Sequence, residues 1–175
     1  MNKSSVLYIS FLPIIILVVL VLGIGYFLTE GDIELPFGGD GIGSRSLKGF
    51  PALVLTSNTL EKQRLVVRSQ EELDAFLSTV DSSGQLTLND KVNFNREYVL
   101  AVASETLETD GYKIKVDNIT DYPEENKIVV TILLTEPGET CVTEAATQVA
   151  VDLVAIKKTD KNIDFERFKK TEECN

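Results

Sequence analysis

The chain has 175 residues, 17 of them basic and 27 acidic, with no histidine, no tryptophan and two cysteines, for a formal net charge of −10. Without histidine, Ser-His-Asp and Cys-His catalysis and the commonest metal ligand are excluded, and two cysteines alone do not build a four-ligand zinc site. An acidic chain also has little general attraction for nucleic acid or anionic lipid headgroups, which are themselves negative.

The chain opens with five residues, 1–5, and then an uncharged apolar run from Val6 to Leu28, VLYISFLPIIILVVLVLGIGYFL. At 1.5 Å per residue such a helix is about 34 Å long, enough to cross a hydrocarbon core. Pro13 fits, since proline is more frequent in membrane helices than in soluble ones. Lys3 and the amino terminus are the only positive charges before the run, and Glu30, Asp32 and Glu34 follow it. Positive charge stays cytoplasmic, so residues 1–5 are read as inside, 6–28 as a single-pass signal anchor in the cell membrane, and 29–175 as extracytoplasmic. A cleaved signal peptide is the alternative, because Gly23 and Gly25 suit a peptidase. The anchor is preferred because the run is longer than a usual signal-peptide core and only one lysine precedes it. A lipoprotein would need a cysteine just after the run, and the only cysteines are Cys141 and Cys174. Beyond Leu28 lie sixteen basic and all 27 acidic residues, a net charge of −11. Residues 29–49 carry six of the 11 glycines and read as a flexible tether, which leaves 50–175 as one domain.

In that domain PALVLT (51–56) and RLVV (64–67) read as strands. The spacing of Leu73, Phe76, Leu77 and Val80 predicts a helix over 70–80, with Ser69 as its cap and Glu72 completing a capping box. DSSGQLTLND (81–90) is a loop. EYVLAVA (97–103) is almost wholly apolar, as expected of a central strand covered on both faces. Residues 111–116 alternate, DYPEEN (121–126) is turn chemistry, and KIVVTILLT (127–135), QVAVDLVAI (148–156) and NIDFERF (162–168) complete the set. The expected fold is α+β, mostly antiparallel β with about seven strands in a sandwich-like arrangement and one early helix, preceded by the membrane helix.

Catalytic and metal signatures are sparse. Asp81, Ser83, Gln85, Thr87 and Asn89 alternate, but an EF-hand loop starting at Asp81 needs glycine at its sixth position and glutamate at its twelfth, where Leu86 and Val92 stand. Asn118-Ile119-Thr120 fits a glycosylation acceptor. Glu124 and Glu125 read as a solvated pair in a turn. No serine sits in a G-x-S-x-G context, and the tether glycines do not form a phosphate-binding loop. No cofactor, metal or catalytic residue is expected. Outside the cytoplasm Cys141 and Cys174 are expected to pair, closing a loop worth about 3–4 kcal/mol and tying down the chain end. If a binding surface exists, loops at one end of a sandwich are its usual place: Glu105 to Tyr112 and Glu136 to Thr147.

Residues 69–156 resemble a known family. The pattern runs Ser69-Gln70-Glu71-Glu72-Leu73, Val92-Asn93-Phe94, Tyr98-Val99-Leu100-Ala101-Val102, Thr109-Asp110-Gly111-Tyr112-Lys113-Ile114, Val129-Val130, Pro137-Gly138, then Thr147 leading into Leu153-Val154-Ala155-Ile156. This is similar to the carboxy-terminal domain of the protease-complex subunit PrcB. Typical members carry Asp-Phe before the first long strand, Gly-Gly-Tyr before the next and Thr-x-Pro before the last. Here Asn93, Asp110 and Val149 stand at three of those positions. The resemblance implies an exported, non-catalytic accessory domain that binds or stabilises a secreted or membrane-bound protease, with the membrane helix replacing the lipid anchor that family members can carry. Two other functions are weighed. One is direct protease inhibition through a loop made of Glu105, Thr106, Leu107, Glu108, Thr109, Asp110, Gly111 and Tyr112. The other is a cell-envelope structural or ligand-sensing module, which a pocket lined by several aromatics would favour.

Overall fold

A computed structural model describes residues 42–174, all within the unit Gly38–Asn175. The expected membrane helix at 6–28 and most of the tether lie outside the described residues. Among the described residues no helix is long and apolar enough to cross a membrane. The described residues form nine strands and one α-helix: β1 (Ser44–Ser46), β2 (Ala52–Leu55), β3 (Gln63–Val67), α1 (Gln70–Val80), β4 (Glu97–Ala103), β5 (Leu107–Thr109), β6 (Lys113–Tyr122), β7 (Lys127–Pro137), β8 (Ala145–Lys157) and β9 (Asn162–Glu172). A 3₁₀ turn, Pro123–Glu125, joins β6 to β7.

Two sheets form. In the first, β8 is the common partner of four strands. β4 and β5 pair along it as Glu97↔Lys157 through Ala103↔Val151, then Leu107↔Gln148 and Thr109↔Ala145. β1 and β2 also pair with it, as Ser44↔Ile156 and Ala52↔Val151. β3 adds to β4. All these pairings are antiparallel. The second sheet has the order β6-β7-β9, with β6 antiparallel and β9 parallel to β7. The fold is therefore mostly antiparallel α+β with one early helix and two sheets, as expected, but with nine strands rather than about seven.

Three local differences have physical causes. Pairing begins at Ser44, inside the stretch read as tether. Leu47 there is 1 % exposed and its N–H donates to Leu153 O at 3.0 Å. Arg45 reaches both carboxylate oxygens of Glu97 at 3.0 and 3.1 Å, and Glu97, hydrogen-bonded by Arg45, is held below its usual pKa. Glycine content signals freedom, but these are long-range contacts that composition does not reveal. β6 runs on past Val116 because the register shifts between Val116 and Asn118, which breaks the alternation that marks a strand in sequence. β5 falls in the segment expected to be a loop.

The helix forms as its sequence dictates. Ser69 Oγ accepts from Glu72 N at 3.2 Å, and a Glu72 carboxylate oxygen accepts from Arg68 N at 2.7 Å. Leu73, Phe76 and Val80 turn onto one face of the first sheet, against Val99, Ala101, Val151 and Leu153. Leu86, Leu88, Val92 and Phe94 from the following loop extend that cover. On the opposite face Tyr98, Leu100, Val154 and Ile156 pack with Ile128 and Val130, while Val102, Leu107 and Ala150 pack with Ile114, Ile132 and Leu134. β4 and β8 are thus buried on both faces, which is why their sequences are apolar without alternation. One carboxylate lies among them. Asp152 is 2 % exposed, and its Oδ2 accepts from Val116 N at 2.7 Å, beside the β6 bulge. Its Oδ1 has no partner among the described residues. Burial pushes this carboxyl above its usual pKa, against the opposing pull of the Val116 and Leu153 N–H groups and Lys115.

Candidate functional site

The expected binding segment Glu105–Tyr112 is a pinned strand edge rather than a free loop. Thr106 N donates to Leu60 O at 3.0 Å, and Thr106 Oγ1 accepts from Leu60 N at 2.7 Å. Leu107 is 7 % exposed and belongs to the core between the sheets. Gln148 Nε2 donates to Thr109 O at 3.0 Å. Glu105 is paired with Arg167 at 3.6 Å, and Tyr112 is half-buried against the same core. Of the eight residues only Glu108 and Gly111 are exposed. Leu107 is therefore a core residue. The signal for β5 is weak in the sequence, because a three-residue strand shows no period.

The two expected segments meet. Asp110 N donates to Glu144 O at 3.1 Å, and Glu144 N donates back to Asp110 Oδ1 at 2.9 Å. Gly111 has φ +86°, and a Cβ there would lie 3.1 Å from Pro137 Cβ. Positive φ and this close approach explain the glycine. Cys141 and Cys174 form a disulfide with Cα atoms 4.9 Å apart, joining the β7–β8 loop to the end of β9. Around it Gly138 N donates to Glu172 O at 2.9 Å, Cys174 N to Thr140 Oγ1 at 2.9 Å, and Thr140 Oγ1 to Glu173 Oε2 at 2.8 Å. The Thr140 N–H and hydroxyl hold the Glu173 carboxyl below its usual pKa. Residues 139–145 are exposed except Cys141, and Val142 is 97 % exposed. One end of the domain thus presents a ridge, 139–145, backed by 108–111 and stapled by the disulfide.

The other singled-out residues have structural work. Asp81 accepts from Ser83 N at 3.0 Å, Ser83 Oγ at 2.6 Å and Leu86 N, so its oxygens close the turn after α1 instead of facing a cation. Burial alone would raise the Asp81 carboxyl, but these donors together with Gly84 N–H bring it below its usual pKa. No group of carboxylates or thiols arranged for a metal occurs among the described residues. Asn118 Nδ2 donates to Thr120 Oγ1 at 3.1 Å on the exposed β6 edge. Asn93 Oδ1 accepts from Asn95 N at 3.1 Å and Asn93 O from Glu97 N at 2.9 Å, so this motif residue shapes the entry to β4. An aspartate oxygen would accept in the same way.

No curated protein and no solved structure matched the chain. A family model described as PrcB C-terminal matches residues 98–157, from the second residue of β4 to the last of β8. The match leaves out β1–β3, α1 and β9. It bears out the resemblance read from the sequence, over the span that the model covers.

Proposed function

We propose that this protein is a membrane-anchored extracytoplasmic binding domain, an accessory or stabilising subunit of a secreted or membrane-bound protease, without catalysis of its own. The family match over β4–β8 carries the reading. The Cys141–Cys174 bridge supports an oxidising location. The pinned 105–112 segment favours a stabiliser over an inhibitor, because an inserting loop needs reach and this one spends its backbone on β8. The contact surface assigned here is the ridge 139–145. The test is co-purification of the intact protein from membranes of its host under gentle solubilisation. A protease recovered with it, and lost when residues 142–144 are replaced by Gly-Ser-Gly, supports the reading. Recovery of the protein alone counts against it.

A further inference from the structure

The end of the strands opposite the disulfide has a different chemistry. There the start of β4, the β8–β9 turn and the starts of β7 and β9 enclose a cleft of about 620 Å³, within the range of small-ligand sites. Tyr98 in its wall is 9 % exposed. Two cations approach this one ring: Arg68, which lines the cleft, with Cζ at 5.6 Å from the centroid, and Lys158, next in sequence to the lining residue Thr159, with Nζ at 5.4 Å. Among the described residues neither has a carboxylate at ion-pair distance, whereas nearby Lys127 is paired with Glu125 at 2.9 Å and Lys161 with Asp121 at 2.6 Å. In a chain with an excess of acids, two cations within cation–π distance of one ring, neither with a carboxylate at ion-pair distance, leave donors for an oxyanion beside that ring. The rim restricts which oxyanion enters. Asp160 and Asp164 line the same cleft, neither within ion-pair distance of a cation among the described residues, although the charge of Asp164 also acts on Lys127. A polyphosphate or nucleic acid meets their repulsion, while a carboxylate accompanied by a cation complements both halves.

We propose that this cleft binds a zwitterionic peptide segment, with its carboxylate at Arg68 and Lys158 beside Tyr98 and its basic group at Asp160 and Asp164. The site does not depend on a protease partner. The full-length protein in detergent micelles, with 3-fluorotyrosine at its five tyrosines, reports on it by fluorine NMR. The Tyr98 resonance is identified by its loss in Tyr98→Phe. The probes are a blocked alanine-based pentapeptide with one glutamate and one lysine, the same peptide with glutamine in place of either charge, and inorganic phosphate. The first peptide should shift the Tyr98 resonance saturably, and each glutamine peptide should bind at least tenfold more weakly. Arg68→Gln and Lys158→Gln should each weaken the first peptide at least tenfold at an unchanged melting temperature. Asp160→Asn, which leaves the ring and its cations in place, should weaken it while sparing the peptide that lacks lysine. Absence of a saturable shift, equal binding of the charged and glutamine peptides, or phosphate binding as tightly as the first peptide overturns the proposal.

Discussion

Replacing Cys174 by serine should lower the melting temperature by roughly 10–15 °C under oxidising conditions. The bridge spans a sequence separation of 33, and everything between its ends is β8, β9 and their connections. In the chain-entropy model, opening a loop of that length returns about 3–4 kcal/mol of freedom to the unfolded state. The folded contacts of Thr140 with Glu173 and of Gly138 with Glu172 survive the substitution, so the loss is assigned to the unfolded chain. An unfolding entropy of about 2.1 cal/mol/K per residue over roughly 130 residues converts that loss into the stated shift. Circular dichroism melts of wild type and variant, with and without a thiol reductant, provide the assay. Reductant should bring the wild type down to the variant, leave the variant unmoved, and Cys141→Ser should match Cys174→Ser. A drop below about 2 °C, or an equal gap between the two proteins in reductant, would show that Cys174 acts through local packing and not through the cross-link.

A fragment starting at residue 50 should be less stable than one starting at residue 42 by at least about 2 kcal/mol in urea unfolding, because it loses β1 and the buried Leu47 side chain. Gly111→Ala should cost about 1–3 kcal/mol, since alanine at φ +86° is strained and meets Pro137. Gly43→Ala, with open space around its Cβ, should cost less than 1 kcal/mol in the same measurement. Asp152 gives a pH signature of defined sign. Its folded pKa lies above the ordinary 3.8, so the folded state binds the proton more tightly. Its contribution to stability is therefore greatest below pH 3.8 and falls as pH rises through the raised value. Asp152→Asn should remove that fall from the urea midpoint measured against pH, and an unchanged profile would refute the assignment.

Where sequence and structure agree, the determinants are local. The α1 boundaries follow from Ser69, Glu72 and the Leu73–Phe76–Val80 stripe, all within one short window. β4 and β8 announce themselves because burial on both faces demands unbroken apolar runs. What was illegible depends on partners far along the chain. β1 exists because Arg45 and Leu47 find Glu97 and Leu153, and β5 because β8 extends far enough to receive Leu107. The parallel pairing of β9 with β7 leaves no mark on NIDFERF, whose alternation suits either direction. The segment expected to bind, 105–112, meets the ridge 139–145 through Asp110 and Glu144, but Leu107 within it is core, which a three-residue strand does not announce. The Tyr98 cleft draws on β3, β4, the start of β7, the β8–β9 turn and the start of β9, places that no sequence spacing connects.

The position of β8 in the chain has a consequence for synthesis. Four of the five other strands in its sheet hydrogen-bond directly to it, yet it begins only at Ala145. As the chain emerges amino end first, the pairings open to it before that point are β3 with β4 and β6 with β7. Until β8 arrives, β1, β2 and β5 have no sheet to join, and the apolar residues of β4 have no second neighbour. The domain therefore closes late and in one step, through contacts between distant parts of the chain, the class of topology that folds slowly. A transcript cut short before residue 145 would release a chain with exposed strand edges and no completed core, a substrate for degradation or aggregation in place of a smaller working domain.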